Sequence, residues 1–258
     1  MSAIAFVPSP MPLGRVWQIY LAEARYESLR MLRAPAFAVP FLLVPCALYA
    51  FFGALAGQSP GAPANIPTLL YTGFSVFGGM GPALFGFGLA LALEREQGVL
   101  RLKRALPLPA PAYLVAKMAM AMLFAALTTI SVAITALVLH RVDISAIRML
   151  GIVSEIVIGT IPFCAIGLFI GARVSARTAP AIVNLVYLSM VYLSGLFIPL
   201  PPAVRWIAVF SPAFRLNQLC LAMAGAASIL SQTMHIAALV GVAVLFTGLT
   251  MRRLAHLG

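Results

Sequence analysis

Charged residues are scarce in this chain. Only 6 of its 258 residues are acidic and 17 are basic, so charged side chains make up 9% of the sequence, whereas soluble domains carry about 25%. Apolar side chains account for 62%. This composition excludes an ordinary soluble domain and indicates an integral membrane protein.

The sequence motifs of several enzyme classes are also missing. The chain has no GxxxxGK[ST] loop, so it cannot bind ATP by a phosphate loop of its own, and it has no HExxH zinc motif. Its three cysteines, Cys46, Cys164 and Cys220, show neither CxxC nor Cys/His spacing, which argues against a disulfide framework or a metal site. We therefore expect no cofactor. We also expect no cleaved signal peptide, because no basic segment followed by an apolar core opens the sequence.

Long apolar segments bounded by charge, proline or glycine predict an all-α polytopic membrane protein. About 20 apolar residues suffice to cross a bilayer as a helix. The sequence contains six such segments: 36–56, 67–93, 110–139, 146–171, 179–199 and 229–251. Because the connections are short, we expect residues 1–258 to form a single transmembrane domain.

The basic residues predict the orientation of these spans. An up-and-down path places residues 1–35, 94–109, 172–178 and 252–258 on one side, which holds 13 of the 17 bases when residues at span edges are counted with the nearer side. Basic loops stay cytoplasmic, so both termini are predicted to be cytoplasmic and the chain to lie in the inner (plasma) membrane. The net charge of +11 then reflects topology and contact with membrane lipid rather than nucleic acid binding.

Two further segments have helical or mixed patterns. Residues 15–33, RVWQIYLAEARYESLRMLR, carry apolar and aromatic residues at helical spacing and charges on another face, which predicts an amphipathic helix on the cytoplasmic membrane surface. A solvated helix that merely precedes the first span is the alternative. Residues 200–228 are too apolar for a solvated loop and too rich in proline for a straight span, which favours short re-entrant helices on the outer side.

Polar and small residues inside the spans are candidates for a transport pathway. Glu155 is the one acid inside a predicted span, where an ionisable group is costly and is a candidate contact for a cation or a proton; a paired acid near the interface is the alternative. Small residues at four-residue spacing in the second span allow close helix contact, within one chain or between subunits. Polar groups along the fifth span line a pathway or bond across helices. The candidates are Ser75, Gly79, Glu155, Asn184, Tyr187 and Tyr192.

The segment EREQGVLRLKR, residues 94–104, concentrates charge at the exit of the second span. Topology explains its bases, but a lipid-binding patch gains nothing from the carboxylates of Glu94 and Glu96. As a helix over 94–106, weakened by a glycine, the segment presents a narrow apolar strip surrounded by mixed charges, which favours a protein docking element. The strip consists of Val99, Leu102 and Leu106.

Two stretches resemble signatures of the ABC type-2 transporter permeases. EREQGVLRLKRALPLPAPAYLVAK, at 94–117, resembles the family's charged span exit, glycine, basic helix and proline, followed by Y-L-x-x-K at the next span. SGLFIPLPPAVRWIAVFSPAF, at 194–214, is similar to its S-G-x-F-x-P signature with a short Trp-containing helix and S-P. They occur in this order in a predicted six-span chain that begins with a surface helix.

The resemblance implies a permease subunit of an ATP-binding cassette exporter that pairs with a second copy and with two ATPase subunits, which bind the ATP. We expect a homodimer, since a glycine-rich helix face suits a two-fold pathway, lined largely by the first, second and fifth spans. The apolar spans favour a hydrophobic or amphipathic substrate, such as a drug, lipid or glycolipid. The surface helix would contact the ATPase through Glu23, Glu27 and Arg30. The coupling helix would dock on the ATPase through Glu94, Arg95, Glu96, Gly98, Val99, Arg101, Leu102 and Leu106.

Three other functions stay open at this point. A secondary transporter or channel would use Glu155 as its coupling acid. An intramembrane serine hydrolase would use Ser75, although the sequence around it, GFSVFG, matches no GxSxG motif. A scaffold without transport activity is the third. On the leading interpretation the chain is not itself an enzyme.

Overall fold

The regular structure of the described chain is helical, as predicted. The computed structural model describes residues 13–56, 66–99, 102, 111–139, 142, 144–197, 205–226 and 230–255. The expectation of an all-α polytopic membrane protein is confirmed. The helices are α1 (Leu13–Leu32), α2 (Pro35–Ala56), α3 (Ile66–Glu96), α4 (Ala112–Val138), α5 (Ala146–Gly159), α6 (Ile161–Gly171), α7 (Ala179–Leu193), α8 (Arg205–Ala208), α9 (Pro212–Ala224) and α10 (Gln232–Ala255).

Five helical segments of the described chain are long and apolar enough to cross a membrane. They correspond to predicted spans one to four and six: Pro35–Leu55, Ile66–Glu96, Ala112–Val138, Ala146–Gly171 and Gln232–Arg252. The predicted fifth span, 179–199, contains α7, whose 15 residues extend about 22 Å against a hydrocarbon thickness of about 30 Å. Helix α7 ends before Gly195, whose φ of 61° is typical of a helix end. A count of six spans stays a prediction.

The fourth predicted span is built from α5 and α6, which join at Thr160. Pro162 stands in the first turn of α6 and offers no backbone N–H to the preceding turn. The hydroxyl of Thr160 donates a hydrogen bond to the carbonyl oxygen of Ile156, at 2.7 Å. The missing donor and the side-chain hydrogen bond are both known causes of helix bending.

Helix α3 is the centre of the packing. In its most apolar 18-residue stretch, 72% of the residues are buried, whereas the corresponding stretches of α2 and α10 are 22% and 17% buried. A Cβ atom on Gly79 would lie 2.6 Å from Cγ2 of Ile156, and one on Gly88 would lie 2.5 Å from Cγ2 of Val183. The small residues of α3 therefore pack within one chain, so the homodimer expectation loses its argument from a free glycine face and stays a prediction.

The segment predicted to be re-entrant contains the short helices α8 and α9. Helix α9 packs against α3, α5 and α10, and Ala213, Leu216 and Cys220 on it are buried. Gly225, with a φ of 93°, ends it in the left-handed conformation. Its surface is thus covered by protein, as a helix that enters a bilayer without crossing requires.

The surface helix α1 packs mainly against α4. Glu27 and Met31 face the protein, whereas Trp17 and Leu21 are exposed. Glu27, one of the charges predicted to lie on a different face from the apolar residues, points into the protein, where α4 supplies a buried cation for it. The exposed aromatic and aliphatic side chains remain available to lipid or to a protein partner, and the position of α1 in the membrane plane stays a prediction.

Candidate functional site

Five polar side chains form a cluster where α3 reaches its cytoplasmic end in the predicted topology. Glu27 and Arg30 belong to α1, Glu94 to the last turn of α3, and Tyr113 and Lys117 to the first two turns of α4. We call these five residues the charged cluster. It joins the surface helix to the second and third predicted spans.

Helical spacing explains how each helix contributes to this cluster. Glu27 and Arg30 are three residues apart, and Tyr113 and Lys117 are four apart, so each pair lies on one face of its helix. Helix α4 packs against both α1 and α3. The two faces therefore meet at the last turn of α3, although Glu27 and Lys117 are 90 positions apart in the sequence.

Lys117 is the buried cation of the charged cluster. Its Nζ lies 2.7 Å from Oε1 of Glu27 and 3.2 Å from Oε1 of Glu94, and its side chain is fully buried. The ammonium group also lies 5.1 Å from the ring centroid of Tyr113, a favourable cation–π distance. A buried charge is tolerated when it is paired and hydrogen-bonded, and here one lysine bridges acids from two helices.

Arg30 completes the charge balance from the edge of the cluster. Its Nη2 lies 2.8 Å from Oε1 of Glu94 and 3.3 Å from Oε1 of Glu27, and 38% of its side chain is exposed. Burial lowers the pKa of Arg30, but the hydrogen bond to Glu94 and the charge of Glu27 outweigh burial and raise it. The hydroxyl of Tyr113 donates to Oε2 of Glu94. Two acids are thus matched by two bases.

The next two residues of α3 bind the segment between α6 and α7. Nη2 of Arg95 donates to the carbonyl oxygen of Val174 at 2.7 Å, and the backbone N–H of Ala176 donates to Oε1 of Glu96 at 2.8 Å. The polar atoms of three consecutive residues at the span exit are therefore held by α1, α4 and residues 172–178. From the sequence, Glu94 and Glu96 were expected to require a partner in another protein, but both have partners within the chain.

The chain turns directly after α3. Gly98 has a φ of +75°, a conformation that favours glycine and ends helices. The prediction of one helix over 94–106 is therefore wrong at its start, since Glu94, Arg95 and Glu96 belong to α3. The backbone N–H of Leu102 donates to the carbonyl oxygen of Gly98 at 3.2 Å, and the Leu102 side chain is 69% exposed.

Val99 is half-buried. Arg101 and Leu106, the other residues predicted to dock, lie outside the described residues. Glu23 is half-exposed on α1, and its contact with an ATPase stays a prediction.

The structure does not bring the predicted pathway residues together into one site. On α7, Tyr187 points inward and donates to the carbonyl oxygen of Phe77 at 3.1 Å, whereas Asn184 and Tyr192 are exposed. Gly79 is enclosed by its neighbours in the bundle. Glu155 lines a separate pocket with residues of α6, α9 and α10.

Ser75 is fully buried on α3. Its hydroxyl has no hydrogen-bond partner among the residues that the structure describes. A nucleophilic serine requires an adjacent base to activate it, so the arrangement described around Ser75 does not support a serine hydrolase.

Sequence reasoning missed the pairing of Glu27 with Lys117, although the sequence carried a signal for it. Lys117 stands among apolar residues near the start of the third predicted span, and a lysine in such a position requires a partner. With only six acids in the chain, few partners were available. The choice among them depends on which helices pack together, which the spacing alone does not give.

Comparison with known families bears on the identity of the chain. A family model described as ABC-2 type transporter matches residues 19–220, which include the whole charged cluster and most of α9. No individual curated protein sequence matches the chain. Membership implies a transport permease that works with an ATP-binding cassette subunit. The matched range covers well over half of the 258 residues, and with the multi-pass helical fold it shows that the chain belongs to the ABC-2 type transporter family.

Proposed function

We propose that the chain is the permease subunit of an ATP-driven exporter in the plasma membrane, with both termini cytoplasmic. A separate cassette subunit binds and hydrolyses the ATP. Family membership supports the transport role, and the charged cluster is the observation that supports the mechanism. It ties the surface helix α1 and the start of α4 to the end of α3, the most buried span.

In this proposal α3 transmits the movement of the ATPase. The helix has 31 residues and is therefore about 46 Å long. Glu94 at its end is held by Arg30 and Lys117, so a displacement of α1 pulls on α3. Because α3 packs against α2, α4, α6 and α7 and close-packed interiors transmit strain, its movement is passed to the rest of the bundle.

The roles of the predicted coupling residues differ in this mechanism. Exposed apolar side chains mark interaction surfaces, and Leu102 presents one directly after the turn at Gly98. Trp17 and Leu21 present others on α1. We assign docking on the ATPase to the turn containing Leu102. Glu27 and Glu94, which are buried, transmit the movement without touching the ATPase.

A second permease copy completes the proposed transporter. Helix α7 exposes Asn184, Leu185 and Tyr192, and a polar amide facing hydrocarbon is unfavourable, whereas it can bond across a helix interface. A second copy that covers this face of α7 would give the amide a partner. This favours a homodimer, with the substrate pathway between the two copies. The transporter would then contain two permeases and two ATPases, and its apolar walls favour a hydrophobic or amphipathic substrate.

Substitution of Leu102 by glutamate tests the docking assignment. The permease is co-expressed with the cassette ATPase encoded beside it, and the amount of ATPase that co-purifies is measured together with ATP turnover in nanodiscs. We expect Leu102→Glu to reduce both at least about tenfold, because a charge replaces an apolar contact. The matched control is Phe210→Glu, since Phe210 is 80% exposed in the segment predicted to lie outside.

Equal ATPase recovery and turnover in Leu102→Glu and the unmodified permease would refute docking through this turn. Loss of both in Phe210→Glu as well would mean that an added charge disrupts the membrane fold in general. The yield of monodisperse permease, measured for each variant without ATPase, separates that effect from a loss of docking.

A further inference from the structure

A pocket of about 290 Å³ lies at the side of the helix bundle, away from the charged cluster in sequence and on different helices. It is formed by α5, α6, α9 and α10, and its volume is at the lower end of the range for small-molecule sites. Three of its lining residues, Ile158, Ile236 and Val240, are exposed. The pocket is therefore open toward the position that lipid occupies around a membrane protein.

Glu155 supplies the one acidic group of this pocket. Its Oε2 atom is buried and has no hydrogen-bond partner among the residues that the structure describes. The carboxyl group does contact the thiol of Cys220 on α9, which is a weak donor and carries no positive charge. The guanidinium of Arg148, one candidate partner on the same helix, lies 3.4 Å from the carbonyl oxygen of Ala224 instead. Of the described residues that line the pocket, none is lysine, arginine or histidine.

The depth of Glu155 makes an unmatched acid costly. Glu155 is nine residues from the start of α5, which places it about 14 Å along a segment, Ala146–Gly171, that is about 39 Å long. In the proposed topology this is the outer half of the membrane. A carboxylate in hydrocarbon is strongly unfavourable unless a cation or a hydrogen-bond donor accompanies it.

We infer that this pocket binds a lipophilic amine with a single alkyl chain, which enters from the outer leaflet. The apolar walls hold the chain, and the ammonium group pairs with the carboxylate of Glu155, whose half-buried side chain lines the pocket. Charge complementarity selects this occupant over a neutral lipid chain, because a cation offsets the desolvation of the carboxylate and an alkyl chain does not. The small volume of the pocket selects one chain over two.

Binding of decylamine to the purified full-length permease tests this inference. The permease is placed in phosphatidylcholine nanodiscs without any ATPase, and bound decylamine is counted by mass spectrometry after subtraction of empty nanodiscs. We expect saturation at one molecule per chain, and an affinity at least about tenfold lower for Glu155→Gln, as for the loss of a charge-assisted hydrogen bond. Decanol, with the same chain and no charge, is expected to bind the unmodified permease at least about tenfold more weakly.

Two bulky substitutions test the location of the site. Val240→Trp fills the pocket and is expected to abolish saturable binding, whereas Val244→Trp is the matched control, because Val244 is equally exposed on α10 but is not part of the lining. If Val240→Trp does not fold, Ala243→Phe fills the same pocket from the next turn.

Equal binding of decylamine by the unmodified permease and Glu155→Gln, or equal binding of decanol and decylamine, would overturn the inference, the latter in favour of a slot for lipid chains. Unchanged binding in a folded pocket-filling variant would overturn its location. Because no ATPase is present, these results are independent of the docking experiment at Leu102.

Discussion

The two acidic regions of the helix bundle differ in where their counter-charges lie. In the charged cluster, Glu27 and Glu94 share Lys117 and Arg30 within 3.3 Å. Glu155, in contrast, has a buried oxygen without a partner among the described residues. Both regions place carboxylates in largely apolar surroundings, but one is balanced within the chain and the other is open to a ligand.

This difference teaches that the burial of an acid does not by itself indicate its role. An internally balanced cluster resists separation of its helices, because separation leaves the acids and bases of different helices without their counter-charges. Such a cluster suits the transmission of force between α1, α3 and α4. An unmatched acid in a pocket does not stabilise the fold and is suited to binding a cation.

Removal of Lys117 is expected to lower the stability of the protein more than any other substitution that we propose. Lys117→Met leaves Glu27 and Glu94 close together without their buried cation, which should destabilise the fold by about 3–5 kcal/mol. The measurement is thermal unfolding of the purified permease in detergent, together with the yield of monodisperse protein. A loss below about 1 kcal/mol would show that the cluster does not hold the helices together.

A double variant provides the control for Lys117→Met. Glu27→Gln removes one of the two unbalanced charges, so Glu27→Gln with Lys117→Met should be more stable than Lys117→Met alone. This non-additivity is the signature of a direct pair. Additive losses would indicate that the lysine acts through packing rather than through charge.

Substitution of Arg30 is expected to have a smaller effect on stability and a clear effect on coupling. Arg30 is partly exposed, so solvent screens its ion pairs, and Arg30→Gln should cost about 1 kcal/mol. Since Arg30 links α1 to Glu94, we expect substrate-stimulated ATP turnover to fall while ATPase co-purification is retained. Arg30→Lys is the control, because it keeps the charge.

If substrate still stimulates ATP turnover fully in Arg30→Gln, the charged cluster takes no part in coupling and its role is structural. Loss of co-purified ATPase would instead place Arg30 in the docking surface. ATP turnover and ATPase co-purification, measured together, therefore show whether Arg30 transmits the movement of the ATPase or contacts the ATPase directly.

The spans were predictable because they depend on local composition. Segment 146–171 matches the helical segment Ala146–Gly171, since a long apolar run is sufficient to specify a membrane helix. The end of α3 was less predictable. Charge at positions 94–96 suggested that the span stops there, but the helix continues to Glu96 and turns only at Gly98, where the backbone becomes left-handed.

The sites were less predictable than the spans because they depend on contacts between distant segments. The sequence singled out the acids of the span exit as docking residues, but it did not identify the partner of Glu94 on α1, which lies 64 positions away. Similarly, Glu155 was recognised as an unusual acid, whereas its pocket requires α9 to pack beside α5 and α10 to pack beside α6 and α9. Residue type identified the candidates, and tertiary packing decided their surroundings.

The smallest expected effect, and the sharpest contrast with Lys117→Met, belongs to Glu155→Gln. Because no cation of the described chain pairs with Glu155, and an unmatched carboxylate in hydrocarbon is unfavourable, loss of its charge should leave the free energy of unfolding unchanged or raise it. Decylamine should raise the unfolding temperature of the unmodified permease, since a ligand of the native state stabilises it, and at the same concentration should raise that of Glu155→Gln less. A destabilisation of Glu155→Gln comparable to that of Lys117→Met would mean that Glu155 has a counter-charge within the protein. Both acidic regions would then be balanced within the chain.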